Sequence, residues 1–121
     1  MKAVLACLAL ILVVAGCTKP RVYAADDVVA RASYTHPGPP SLTLYTMVNN
    51  RTGSGAHTGL LINASERVIF DPAGSFHSEA TPERHDVLFG ITPGMGKGYR
   101  SAHARSTYHV VSQSIDVSRS Q

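Results

Sequence analysis

Cysteine is almost absent from the sequence: there are two, Cys7 and Cys17, and none follows. Thiol chemistry and disulfides are thereby excluded from everything after residue 17. A long apolar run is missing as well. The most hydrophobic segment, Ala3 to Val14, stops before the roughly 20 residues a membrane-crossing helix needs, because Thr18, Lys19 and Pro20 follow almost at once. There is no basic cluster. The formal charge is +3, and the bases are scattered singly from Lys19 to Arg119, which excludes the stripe that tracks a nucleic-acid backbone. No Gly-x-Ser-x-Gly nucleophile turn occurs either.

The first residues have the order of a secretory signal peptide: Lys2, the apolar run, then the small pair Ala15 and Gly16. Val14-Ala15-Gly16-Cys17 resembles the lipobox of bacterial lipoproteins. The resemblance implies cleavage before Cys17, diacylglycerol on its sulfur, and a mature chain held to a membrane by lipid. The alternative is an uncleaved anchor with Cys17 a free thiol. Loss of Lys2 with the leader lowers eleven bases to ten against eight acids, a formal charge of +2. Cys7 leaves with the leader and Cys17 is acylated, so the mature chain has no free thiol. In a Gram-negative source, Thr18 after the cysteine resembles an outer-membrane sorting signal, with the protein facing the periplasm.

Three regions follow: a leader over 1–16, the lipidated cysteine and a tether over 17–40, and a β-domain over 41–121. The tether expectation rests on Pro, Ala and small residues ending in His36-Pro37-Gly38-Pro39-Pro40, with no periodic apolar face. The alternative is an arm partly packed on the domain at Val22-Tyr23 and Val28-Val29. The domain reads as α+β, an antiparallel β-meander of about four strands with little helix. Leu42 to Val48, His57 to Ile62, Arg67 to Phe70 and Tyr108 to Val117 carry strand character. Gly74 to Gly98 reads as loop around a short apolar piece, Val87-Leu88-Phe89, and Tyr99 to Ser106 suits a short helix. No amphipathic helix long enough to cover the sheet is evident, so the sequence reads as part of a domain.

A hairpin carries the chemistry. With a turn centred on Ala64 to Glu66, Asn63 faces Arg67, Leu61 faces Ile69 and Gly59 faces Asp71, which puts His57 diagonally across from Asp71 on one face. Diagonal cross-strand neighbours lie about 7–8 Å apart at Cα, within reach of an imidazole and a carboxylate. A carboxylate there fixes the imidazole tautomer and leaves the other ring nitrogen as a base. The glycines before His57 would let a substrate backbone approach.

Gly55-Ala56-His57-Thr58-Gly59-Leu60-Leu61-Ile62 and Arg67-Val68-Ile69-Phe70-Asp71-Pro72 resemble the histidine hairpin of papain-like NlpC/P60 enzymes. Asp71 to Phe76, and Tyr99 with His103-Ala104-Arg105, further resemble a group of proteobacterial lipoproteins in which that fold is circularly permuted and the histidine hairpin precedes the cysteine helix. The resemblance covers Gly55 to Val117. It implies an incomplete papain-like domain, the amino-terminal half, with His57 as general base and Asp71 as its orienting partner. It also implies amide or peptide bonds as substrates, including those of cell-wall peptides. The chain departs from the family at the nucleophile, since no cysteine follows Cys17. The expected function is an exported, lipid-anchored remnant or fragment of a thiol amidase or peptidase, inactive alone. The competing expectation is a non-catalytic tethered β-domain that binds an envelope partner, with His57 an edge histidine and Asp71 a turn residue.

Six histidines raise the question of a metal. His77, His85, His103 and His109 match no zinc spacing, with neither a His-x-x-x-His pair nor a cysteine to join them, so no metal and no cofactor are expected. Asn63-Ala64-Ser65 matches a glycosylation sequon and reads as a turn.

Overall fold

The computed structural model describes residues 23–118. The leader and Cys17 lie outside them. The protein is an α+β fold built on one antiparallel sheet of six strands, ordered β4-β5-β3-β2-β1-β6. The strands are β1 (Ser41–Asn49), β2 (Gly55–Asn63), β3 (Arg67–Phe70), β4 (Glu83–Arg84), β5 (Val87–Leu88) and β6 (Tyr108–Asp116). The helices are α1 (Asp26–Ala32) and α2 (Pro93–His103).

The β2–β3 hairpin pairs Leu61 with Ile69 and Asn63 with Arg67, the register expected from the sequence. Alternation then sorts the side chains. Tyr45, Met47, Leu61, Ile69 and Leu88 point to one face, where Ile91 and Tyr99 complete the buried core. The opposite face carries the rows Leu44–Leu60–Phe70 and Ile115–Leu42–Ile62–Val68. No helix of the described residues covers it, and Leu44, Phe70 and Ile115 are 38%, 40% and 62% exposed. β6 returns to the far edge beside β1, pairing Tyr45 with Ser112 and Met47 with Val110. Val110 packs on the core, whereas Val111 and Ile115 lie on the open face.

α2 corrects the sequence reading. A loop was expected through Gly98 and a helix over Tyr99 to Ser106, yet the helix runs from Pro93 to His103. Three glycines at 94, 96 and 98 weaken its intrinsic propensity by about 1 kcal/mol each relative to alanine. Its ends compensate locally. Thr92 caps it, accepting from the Met95 amide, and Pro93 occupies the first turn, where its missing N–H costs nothing. Packing supplies the rest: Gly96 and Tyr99 are buried on one side of the helix, so the sheet does have a covering layer on its core face.

From Tyr23 on, the expected tether is also different. It forms α1 and then lies along the sheet. The Arg84 guanidinium donates to the Ala24 carbonyl and pairs with Asp26 at 2.6 Å. The Arg67 amide donates to the Tyr34 carbonyl, and Asn63 Nδ2 donates to the Pro39 carbonyl. These bonds satisfy backbone groups at the sheet margin, which is why a proline-rich stretch without an apolar face is nonetheless ordered.

The two faces should respond oppositely to substitution. Ile69→Ala, at a fully buried core position, is expected to cost about 2–5 kcal/mol in a urea melt. Leu44→Thr with Phe70→Thr should change stability by about 1 kcal/mol or less while raising the temperature at which light scattering detects aggregation.

Candidate active site

The site is assembled where β2 begins, β3 ends and α2 ends. Asp71 follows β3 directly and is 3% exposed. A carboxylate removed from water needs hydrogen-bond donors, and it receives two on the same oxygen. His57 Nε2 lies 2.6 Å from Oδ1, and the Tyr99 hydroxyl donates to Oδ1 at 2.6 Å. A carboxylate oxygen is an acceptor, so Nε2 carries the ring proton and Nδ1 holds the lone pair. Nδ1 has no hydrogen-bond partner among the described residues, and His57 borders an open pocket of about 230 Å³ lined also by Met47, Gly74, Ser75, His103 and Arg105.

Two glycines make the convergence possible. A side chain at Gly59 would occupy the space of the Tyr99 hydroxyl, and one at Gly74 would collide with the Asp71 carboxylate. The turn between Asp71 and Gly74 closes with the Gly74 amide donating to the Asp71 carbonyl at 3.0 Å. Pro72 suits its second position. Its third is Ala73 at φ 55°, a left-handed conformation that usually falls to glycine.

Tyr99 is the deepest member, with no exposed surface. Burial pushes its hydroxyl well above the ordinary tyrosine range, and the hydrogen bond to Asp71, the charge of Asp71 and the nearby Tyr45 push the same way. The phenol therefore remains a donor to Asp71 across the physiological range. Tyr45 is also raised, chiefly by burial, with Arg100 and Arg67 opposing.

Sequence reasoning placed His57 and Asp71, and the structure brings them into contact. It did not place Tyr99 or His103 in a shared site. His103 Nδ1 bonds the Tyr99 carbonyl at 2.8 Å, and its ring lies nearly parallel to that of His57, with centroids 5.8 Å apart. Phe76 closes the other side, edge-on to Tyr99. The signal that points to these residues is the helical spacing of Gly96, Tyr99 and His103 along one side of α2, obscured by its glycines.

His57, Asp71 and His103 each offer a donor atom within 4.8 Å of the others. Two imidazoles and a carboxylate suit a zinc-like ion. Such a cluster escapes spacing rules because its members come from three elements. Two ligands of one tetrahedral ion stand roughly 3.3 Å apart at metal bonds of about 2.0–2.1 Å. An ion held by both His57 Nε2 and Asp71 would therefore have to replace their 2.6 Å hydrogen bond and widen the pair.

Cys17, the remaining site residue expected from the sequence, lies outside the described residues. Among the described residues no helix is long and apolar enough to cross a membrane. Comparisons with protein-family models, curated proteins and solved structures find no match to this chain.

The buried phenol sets a pH dependence. An unfolded tyrosine ionises near about pH 10, while Tyr99 in the fold does not, so the folded state holds more protons above that pH. Stability is then fully present below about pH 10 and falls as pH rises, by at most about 1.4 kcal/mol per pH unit for this group. Urea melts across the alkaline range should show Tyr99→Phe with a shallower decline. At neutral pH the same variant should be less stable by about 1–3 kcal/mol through the lost bond to Asp71.

Proposed function

We propose that the chain is an exported, lipid-anchored envelope protein whose folded part carries the base half of a papain-like thiol amidase or peptidase site. The observation that supports this reading is the 2.6 Å contact between His57 Nε2 and Asp71 Oδ1, which leaves Nδ1 as the free base at a pocket. The chemistry follows from that orientation. A thiol presented to Nδ1 gives up its proton to the imidazole, and the resulting thiolate attacks an amide carbonyl. Asp71 stabilises the imidazolium formed. The imidazolium then returns the proton to the departing amine, and water, activated by the same nitrogen, releases the acyl group.

Residues 18–121 contain no cysteine, so they supply the base without the nucleophile. The reading requires the thiol to come from further coding sequence or from a partner. If the locus continues past the Gln121 codon in any of three frames into a helix-forming segment with a cysteine, the completed protein should cleave cell-wall peptides. His57→Ala should then lower its kcat/KM by about 10²–10⁴-fold. Cleavage unaffected by His57→Ala would remove the catalytic assignment.

Membrane attachment is tested separately. A fatty-acid analogue fed to cells should label the wild type and leave Cys17→Ser unlabelled. Equal labelling of both would sink the lipobox reading. Several acyl chains anchor stably where one binds only marginally, so the mature protein should fractionate with membranes.

A second reading, a non-catalytic tethered domain that binds an envelope protein, is favoured by one observation: the apolar face bearing Leu44, Phe70, Val111 and Ile115. Under that reading His57→Ala leaves function intact, and polar substitutions at Leu44 and Phe70 abolish it.

A further inference from the structure

The opposite end of the β2–β3 hairpin holds an arginine without a counter-charge. Arg67 opens β3, and its Nε and Nη1 are buried with no hydrogen-bond partner. Beside it Asn63 is 5% exposed; its Nδ2 donates to the Pro39 carbonyl, while its Oδ1 is buried and accepts nothing. Both residues line a pocket of about 160 Å³ that also takes in His36, Ser41 and Thr43. His57 is six residues away along β2, about 20 Å at 3.3–3.4 Å per residue, so this pocket is separate from the candidate active site.

Buried guanidinium donors and a buried amide oxygen without partners are each unfavourable, and folded proteins rarely tolerate them together unless something else completes the bonds. The surroundings sharpen the demand for negative charge. Arg67 Nη2 approaches the position a side chain at Gly96 would take, to 4.0 Å, which places it under the first turns of α2. The first turn of that helix holds no acidic residue, so no carboxylate there offsets its positive end. Arg67 and Arg100 both act on Tyr45, which puts a second cation in the neighbourhood. The ion pairs among the described residues include none to Arg67.

We propose that this pocket binds a small oxyanion that also carries a hydroxyl. The anionic oxygens accept from the Arg67 guanidinium, whose planar array of donors suits carboxylate and phosphate. The hydroxyl donates to Asn63 Oδ1. The pocket, about 160 Å³ and open to solvent, suits a compact ligand. Dihydrogen phosphate and a short 2-hydroxycarboxylate are both compact and both pair charge with an O–H donor. Acetate has the charge and lacks the donor.

The test uses the full mature chain and follows two signals, the Arg67 Nε–Hε resonance and the melting temperature. Inorganic phosphate at about pH 6, where the singly charged form is abundant, sodium lactate and sodium acetate are each titrated against chloride at matched ionic strength. Phosphate, lactate or both should shift the Arg67 resonance saturably and raise the melting temperature, with acetate at least fivefold weaker. Which of the two binds more tightly identifies the source of the oxyanion. Arg67→Met should melt higher than the wild type without anion, because it removes the unpaired donors, and should lose the anion-dependent rise. If Arg67→Met does not fold, Arg67→Lys keeps the charge without the planar array and should bind at least tenfold more weakly. An Arg67 resonance indifferent to phosphate and lactate would overturn the proposal. So would an anion-dependent rise that survives Arg67→Met, or acetate binding as tightly as lactate.

Discussion

Asp71 is the point on which the arrangement depends. A carboxylate 3% exposed has to be surrounded by donors, and its two donors come from elements far apart in the chain, His57 at the start of β2 and Tyr99 on α2. The same oxygen thus fixes the imidazole tautomer and helps hold the helix on the sheet. Removing a partner from a buried charge leaves that charge uncompensated, which is far costlier than a lost surface contact. The glycines at 59 and 74 belong to this constraint, since side chains at either position would fill the space that Tyr99 and the carboxylate occupy.

The hairpin has opposite electrostatic solutions at its two ends. At one end an acid is buried with two hydrogen bonds and faces a pocket through the histidine it holds. At the other, two nitrogens of a part-buried arginine have none. The difference follows from what packs there. The site end receives the later turns of α2 with the donor-bearing Tyr99, while the Arg67 end receives its first turn, which holds no acidic residue to pair with a cation. The partnerless guanidinium nitrogens at that place are what the proposed oxyanion would complete, whereas the aspartate already has its partners.

The hairpin register was legible before the structure because two constraints agreed. A polar turn at Ala64 to Glu66 and the apolar set Leu61 and Ile69 leave few pairings, and a shift by one residue would turn that set outward. The proximity of His57 and Asp71 followed from the register alone. α2 was illegible for the converse reason. Gly94, Gly96 and Gly98 look like loop residues, and their helical conformation depends on the Thr92 cap and on Gly96 and Tyr99 packing on the sheet. The stretch after Tyr23 was hidden too, since it is held by backbone hydrogen bonds with Glu83 and Arg67 and by the Thr35 hydroxyl on the Ser65 carbonyl, which leave no periodic pattern.

By itself the sequence determined the alternation of the strands, the turn between β2 and β3, and the absence of any thiol after Cys17, because each is a property of neighbours along the chain. Only the tertiary structure decided that Tyr99 completes the carboxylate's partners, that His103 lies beside His57, that one face of the sheet is covered and the other left open, and that two guanidinium nitrogens of Arg67 are buried without a partner. These depend on where α2 and the segment after Tyr23 come to rest, which is set by packing between residues distant in sequence and is written in no local pattern.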